Sequence, residues 1–202
     1  MFAVTFTANR DSRWLYEILQ FLFRHIEELN DQEFGAHFKE FLEKMAVTYV
    51  EERLFTEDRR IKKYGDIPVY AFNFVDYVLW KNRGELERKY ENIKFDQFKF
   101  AYRRSIEHWF PQHPNSDERV EKMDDQFLHS FGNLCIITDS QNSKFGNLVP
   151  SAKYKQWEGI FNRQSLKLQI MAAITEKDKW GICEIQVMEK EVERYVHDFC
   201  DS

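Results

Sequence analysis

The stretch that decides the organisation of the chain lies between residues 105 and 155. It begins with SIEHWFPQ (residues 105–112) and resumes, after a charged segment, with FGNLCIITDSQNSKFGNLVPSAK (residues 131–153). The apolar run LCII at 134–137 stands between two polar segments, which predicts a short strand. We expect residues 140–147 to form a polar turn and the chain after Pro150 to be helical. The predicted local order is therefore strand, long loop, strand and helix.

Four polar side chains of this stretch can supply the chemistry of one site: Glu107, His108, Asn133 and Asn142. Histidine accepts a proton at neutral pH because its unperturbed pKa is about 6.5, so His108 is the candidate general base. A hard cation such as Mg²⁺ takes oxygen ligands and keeps several waters. Taken singly, each residue has an ordinary alternative, since a His beside a Glu is usually a surface pair and a loop Asn is usually a turn residue.

The order of these residues resembles the HNH nuclease motif, also called the His-Me finger or ββα-metal motif. It is similar in particular to the C-terminal domain of GmrSD-like modification-dependent restriction proteins. There an acidic residue and His are followed by Pro-Gln, Gly-Asn-Leu, Asn-Ser and a trailing Lys. The matching positions are Glu107, His108, Pro111, Gln112, Gly132, Asn133, Leu134, Asn142, Ser143 and Lys153. The likeness is concentrated in residues 105–155 and is loose before residue 95, and many relatives carry Asp at the position of Glu107.

The resemblance implies a metal-dependent DNA endonuclease, a phosphodiester hydrolase that uses Mg²⁺ or Mn²⁺. It implies His108 as the general base and groups Asn133 with it in the catalytic loop, where Asn133 would keep His108 oriented. Glu107 and Asn142 are the implied metal ligands. The ion would stabilise the charge that develops on the scissile phosphate.

The resemblance also implies partners, namely DNA and a separate or N-terminal domain that senses modified DNA or hydrolyses nucleotides. The chain itself shows no Gly-rich phosphate loop, and we expect it to be the effector part of an anti-phage restriction system. The alternative is a catalytically silent helical interaction module that kept the HNH scaffold. A structural zinc module is not favoured, because the three cysteines are scattered through the chain.

The charge of the chain does not by itself indicate a nucleic-acid-binding protein. The formal net charge is −5, whereas phosphate contacts require Lys and Arg. Residues 142–167, however, carry five cations against the single carboxylate Glu158. We expect four of them to contact substrate: Lys144, Lys153, Lys155 and Arg163. Without the motif, an ordinary charged surface would be the better interpretation.

The composition predicts a mainly helical chain with a sizeable core. Hydrophobic residues make up 43%, Phe occurs 19 times, and only 7 Gly and 4 Pro are present. No apolar run approaches the roughly 18–20 residues that span a bilayer. The first residues lack the pattern of a signal peptide, and the odd number of separated cysteines is typical of reduced thiols. We therefore expect a cytoplasmic protein that does not contact a membrane.

Periodicity gives the remaining elements. Helices are predicted at 12–30 with Ser12 as N-cap, and at 33–54, 69–83, 85–90, 153–161, 165–175 and 178–200. Alternation over 93–106 predicts a strand that leads into Glu107, residues 57–66 form a charged linker, and 117–127 contains a helical turn. The predicted fold class is α+β and mainly α-helical. A bundle-like helical region at 1–92 would precede an HNH-type domain at 93–202, made of a small ββα-metal motif and C-terminal helices.

Overall fold

The computed structural model describes residues 1–2, 12–115, 122–177 and 180–202. Its main helices are α1 (Arg13–Arg24), α2 (Phe34–Glu51), α3 (Val69–Lys81), α4 (Arg83–Lys89), α5 (Asp125–Leu128), α6 (Asp139–Phe145), α7 (Pro150–Trp157), α8 (Leu166–Lys177) and α9 (Ile182–Cys200). Strands β1 (Ser105–His108) and β2 (Leu134–Ile137) form one antiparallel sheet. Short 3₁₀ turns lie at Ile26–Glu28, Phe95–Gln97, Phe131–Asn133 and Glu158–Arg163. This architecture confirms the predicted mainly α-helical α+β class.

Helix α3 is the centre of the core. Its sequence, VYAFNFVDYVLWK, is apolar on nearly every side, and most of its residues are buried. A helix that is hydrophobic all round must be enclosed by other elements. Helix α3 accordingly packs against α2, α8 and α9, and it also contacts β2. Helices from both predicted regions thus share one core, while the division at residue 92 stays a prediction.

The two strands pair over four residues each. Ser105 lies opposite Ile137 and His108 lies opposite Leu134. All four residues of β2 are buried, which is typical of a short apolar strand that is covered on both faces. The observed strand has the bounds predicted from the LCII run. Because β2 is so short, β1 can pair only from residue 105 onward.

The strand predicted at 93–106 is therefore wrong over most of its length. Residues Phe95–Gln97 form a 3₁₀ turn, and only Ser105–His108 is a strand. The Phe alternation that suggested a strand has another cause, because Phe95 is fully buried in the core without belonging to a sheet.

The polar turn predicted at 140–147 is also wrong, since residues 139–145 form helix α6. A capping box begins this helix: the Thr138 side chain accepts from the Gln141 backbone N–H, and the Gln141 side chain accepts from the Thr138 N–H. The sequence Thr-x-x-Gln carried that signal. Asp139 then ties the start of α6 to β1 through Arg104, whose Nε lies 2.6 Å from Asp139 Oδ2. The order β1, β2, α6 is a ββα unit.

Two further predictions were altered at the ends of elements. The helix predicted at 12–30 ends at Arg24 and continues as the 3₁₀ turn, and the Ser12 side chain makes no capping bond. No residue of α1 is buried, and Phe23 is 76% exposed. For the turn predicted in 117–127, residues 125–128 form α5, while residues 116–121 lie outside the described part of the chain.

Among the described residues, no helix combines the length and the apolarity that crossing a membrane requires. The three cysteines are free thiols, with Cys135 buried and Cys183 exposed, as the sequence predicted.

Candidate active site

The ββα unit places the predicted residues around the end of β1. Glu107 and His108 are the last two residues of β1. Asn133 is the last residue of the 3₁₀ turn that leads into β2, and the next residue, Leu134, pairs with His108. Asn142 lies on α6, which follows β2. The fold thus brings Glu107, His108 and the Asn133 turn together, and Asn142 lies on a helix that contacts β1.

Asn133 uses its whole side chain to hold the loop after His108. Its Oδ1 accepts from the Phe110 backbone N–H at 2.8 Å and from Trp180 Nε1 at 3.2 Å. Its Nδ2 donates to the carbonyl oxygens of Phe110 at 3.0 Å and Leu128 at 2.9 Å. The side chain is fully buried, so the full hydrogen-bonding capacity of the amide is satisfied inside the protein. This geometry matches the loop-holding role expected of Asn133, and it leaves no atom of the amide for substrate.

The turn that carries Asn133 is itself clamped by the C-terminal helices. Lys167 Nζ donates to the carbonyl oxygens of Phe131, at 2.8 Å, and of Leu134. The Phe131 N–H donates to Glu189 Oε1 at 3.1 Å. Gly132 faces α9 so closely that an added Cβ would stand 2.1 Å from the Ile185 carbonyl oxygen. The Gly-Asn pair of the motif is therefore required by packing: Gly lets α9 approach, and Asn fixes the loop.

Glu107 and Lys153 form a buried ion pair beneath the site. Lys153 Nζ lies 2.7 Å from Glu107 Oε1, and it also donates to the carbonyl oxygens of His108 at 2.7 Å and Trp109 at 2.9 Å. Lys153 is 0% exposed and Glu107 is 7% exposed. Burial raises the pKa of Glu107, and the ammonium of Lys153 opposes that rise. The phosphate contact predicted for Lys153 is therefore corrected: this side chain faces inward and holds the end of β1.

His108 is enclosed, although the motif suggested an exposed base. Its residue exposure is 6%. The Tyr64 ring packs edge-on against the imidazole with centroids 4.5 Å apart. Burial above all, together with the nearby His129 and Lys153, lowers the pKa of His108 to about 4. The ring is therefore neutral at neutral pH, which is the form that accepts a proton.

Two side chains determine which nitrogen of His108 carries the proton. Nε2 lies 3.0 Å from Nδ1 of His129, and the Gln112 amide nitrogen lies 3.0 Å from His108 Nδ1. When Nε2–H donates to His129, Nδ1 keeps its lone pair and accepts from Gln112. The site therefore contains a hydrogen-bonded histidine pair, in which the tautomers of the two rings depend on each other.

From its place in the sequence, His129 could assist at the site but ranks well below His108, and Tyr64 has no predicted role. His129 follows α5 and is brought to His108 only by the long loop between the strands. Tyr64 lies in the segment predicted as a solvated linker, yet its N–H donates to the His129 carbonyl oxygen at 3.0 Å, and its ring stacks on the His129 ring. No spacing in the sequence indicated either contact, because both join distant segments. Gln112 was part of the motif but had been given no role.

The remaining predicted residues lie on the surface or in the interior as follows. Asn142, Lys144, Lys155 and Arg163 are exposed. Lys167, which contributed to the basic segment in the sequence, is 1% exposed. Two of the five cations in 142–167, Lys153 and Lys167, are thus internal, and the surface there is less basic than the sequence indicated.

Among the described residues, two groups of side chains offer donor atoms for a metal ion. In the described part of the chain, the side chains of His, Cys, Asp and Glu form a group of three with neighbouring ligand atoms at His25, Glu28 and His37. The predicted metal ligands are the Glu107 carboxylate at the end of β1 and the Asn142 amide on α6. These are oxygen donors of the kind that Mg²⁺ takes. A carboxylate offers about four acceptor positions, so the bond from Lys153 to Glu107 Oε1 leaves acceptor capacity on this group.

Comparison with known proteins places the chain in a family. The model of the C-terminal domain of GmrSD restriction endonucleases matches residues 38–192, which include β1, β2, α6 and the whole cluster around His108. No curated protein matches the chain, and no solved structure matches it. The family match covers most of the sequence and contains every residue of the candidate site. The chain therefore belongs to the family of GmrSD restriction endonuclease C-terminal domains.

Proposed function

We propose that this domain is a metal-dependent DNA endonuclease of the HNH type. The observation that carries the proposal is the position of Glu107 and His108 as the last two residues of β1. The Asn133 side chain fixes the loop that follows them, through two hydrogen bonds to the Phe110 backbone. The family to which the chain belongs is a restriction endonuclease family. A neutral imidazole can take a proton from water, and a carboxylate can bind the ion that stabilises the phosphate.

His108 acts as the general base in this proposal. In the tautomer whose Nε2–H donates to Nδ1 of His129, the lone pair on Nδ1 is the proton acceptor. The Gln112 amide donates to that lone pair in the structure, so a water that loses its proton to Nδ1 would take the place of this amide. Because burial lowers the pKa of His108 to about 4, the ring is available as a base throughout the neutral range.

Glu107 and Asn142 would hold the ion, Mg²⁺ or Mn²⁺. When bound, the ion supplies Lewis-acid stabilisation of the scissile phosphate and of the leaving oxygen. The contribution of the chain is to oppose the rise in pKa that burial imposes on Glu107. Lys153 does this, since its ammonium lowers the pKa that burial raises. Lys153 therefore acts as a positioning residue, for the carboxylate and for the carbonyl oxygens of His108 and Trp109.

The DNA backbone would be contacted by exposed cations on α6, α7 and the following 3₁₀ turn. These are Lys144, Lys155 and Arg163. Contacts of this kind position the duplex but do not read its sequence. Selection of modified or foreign DNA would then depend on a separate or N-terminal sensing domain, in a cytoplasmic anti-phage restriction system.

The test is cleavage of a supercoiled plasmid in Mg²⁺ or Mn²⁺, comparing wild type with His108→Gln. Gln is chosen because His108 is enclosed, and an amide can keep hydrogen bonds to Gln112 and His129. We expect the rate to fall by about 10²–10⁴-fold, with an unchanged circular dichroism spectrum. The matched control is His197→Gln, which changes a histidine on α9 that stacks on Phe55. Equal cleavage by His108→Gln and the control would remove His108 from the mechanism.

One observation favours the silent interaction module as the second candidate. The Glu107 carboxylate is already occupied by Lys153 and is 7% exposed, as expected of a structural ion pair. Calorimetric titration with Mn²⁺ separates the two functions. The nuclease proposal expects binding that is weakened in Glu107→Gln and in Asn142→Ala, whereas the silent module expects no heat that depends on either residue.

A further inference from the structure

A second group of potential metal ligands lies at the N-terminal helical hairpin. His25, Glu28 and His37 each offer one ligand atom, and all three atoms lie within 4.8 Å of one another. His25 Nδ1 lies 3.1 Å from Glu28 Oε2. The imidazole rings of His25 and His37 meet edge to face, with centroids 4.9 Å apart. These separations are close to those between ligands of one ion, so small side-chain rotations would bring the three donors together.

Local structure explains why the three side chains converge. His25 is the C-cap residue directly after α1, and Glu28 lies three residues later, in the 3₁₀ turn. His37 belongs to the first turn of α2, at the other side of the connection. Phe21 packs against both imidazoles, with ring centroids 4.5 Å from His25 and 5.1 Å from His37. The aromatic side chain thus limits the rotation of both rings and preorganises them.

We propose that His25, Glu28 and His37 form a binding site for a first-row divalent cation of the Zn²⁺ type. Two imidazoles and one carboxylate are a ligand set that Zn²⁺ takes, with a water in the fourth position. Imidazole ligands favour Zn²⁺ and its neighbours over Mg²⁺, which requires oxygen donors. Glu28 and His37 are exposed and His25 is half-buried, so an ion can enter from solvent.

The site is independent of the proposed nuclease centre. All three residues precede residue 38, where the family match begins. The consequence of binding would therefore fall on the hairpin. No residue of α1 is buried, and α1 is held by partly buried side chains such as Trp14, Ile18 and Phe21. An ion held by His25 and Glu28 on one side and His37 on the other would tie the end of α1 to α2, and it would stabilise the folded hairpin by mass action.

The experiment is a Zn²⁺ titration of the full chain, followed by isothermal calorimetry and by native mass spectrometry. We expect one Zn²⁺ per chain, with Mg²⁺ in excess failing to displace it. His25→Gln, Glu28→Gln and His37→Gln should each weaken binding about tenfold or more, since even the loss of outer-shell partners costs 10–100-fold.

Two comparisons keep the result interpretable. His129→Gln removes a partner from the other histidine pair of the fold, and it should leave Zn²⁺ binding unchanged. Because His25 and His37 pack on Phe21, each variant is compared by the rise in Tm that Zn²⁺ produces over its own metal-free form. Equal Zn²⁺ affinity in wild type and the three variants would overturn the proposal, as would loss of binding in His129→Gln. Plasmid cleavage in Mg²⁺ should be unaffected by His37→Gln, so a failed Zn²⁺ site and a failed nuclease are distinguishable.

Discussion

Replacing Lys153 by Met tests whether this lysine is a structural cation or a phosphate contact. The substitution keeps a long, flexible side chain and removes the ammonium. In the structure that ammonium has three acceptors, Glu107 Oε1, the His108 carbonyl oxygen and the Trp109 carbonyl oxygen. All three lose a donor at a position where Lys153 is 0% exposed.

The expected loss of stability follows from the three acceptors that lose their donor. Breaking a buried ion pair by removing one partner costs about 3–5 kcal/mol. Removing the charge also raises the pKa of Glu107 further, because Lys153 opposes the effect of burial. When folding raises the pKa of a carboxyl group, the protein becomes less stable as pH rises above the pKa of that group in the unfolded chain, here 4.5. The cost of Lys153→Met should therefore be largest at pH 7 and smaller near pH 4.5.

The assay is urea unfolding of wild type, Lys153→Met, Glu107→Gln and the double variant at both pH values. Glu107→Gln keeps an acceptor for Lys153 and should cost less than Lys153→Met. In the double variant no ionised carboxylate is left unpaired, so its cost should be smaller than the sum of the single costs. The matched surface control is Lys155→Met, which should leave stability unchanged.

The opposite pattern would refute this reasoning. If Lys153→Met unfolds like wild type but binds DNA more weakly, with a salt dependence reduced by about one phosphate contact, then Lys153 faces the DNA. In that case the phosphate contact predicted from the sequence would be right, and the buried ion pair would not exist in solution.

Two further predictions concern the remaining site residues. The pKa of His108 is lowered from 6.5 to about 4, so the stability that depends on its neutral form is present above pH 6.5 and is lost as pH falls towards 4, by at most about 3 kcal/mol. Urea unfolding across that range should show a smaller decline in His108→Gln than in wild type, and equal declines would contradict the assignment. Asn133→Ala should destabilise the fold by at least about 3 kcal/mol, because buried partners lose their bonds, whereas Asn142→Ala should lower cleavage in Mg²⁺ with little change in Tm. The reverse ranking in thermal unfolding and plasmid assays would mean that the two roles are exchanged.

The sequence by itself determined the elements whose signal is local. The LCII run between polar segments gave β2 its bounds, because four consecutive apolar residues are too few for a helix and need cover on both faces. The apolar helix α3 was recognisable from its composition. The order of Glu107, His108 and Asn133 was sufficient to indicate the family that the comparison then found. The Thr138–Gln141 capping box was also present in the sequence, and neglecting it produced the incorrect turn at 140–147.

Only the tertiary structure decided how these residues are used. The sequence predicts Lys153 to be a surface cation. In the fold its side chain extends from α7 to the end of β1, where its ammonium pairs with the buried Glu107 carboxylate. His129 and Tyr64 reach His108 from segments that are far away along the chain. Burial and neighbouring charges, which set the pKa of His108 and the accessibility of each cation, are sums over such distant contacts. Periodicity reports the neighbours of a residue within one element, whereas a catalytic environment is formed by elements that meet only after folding.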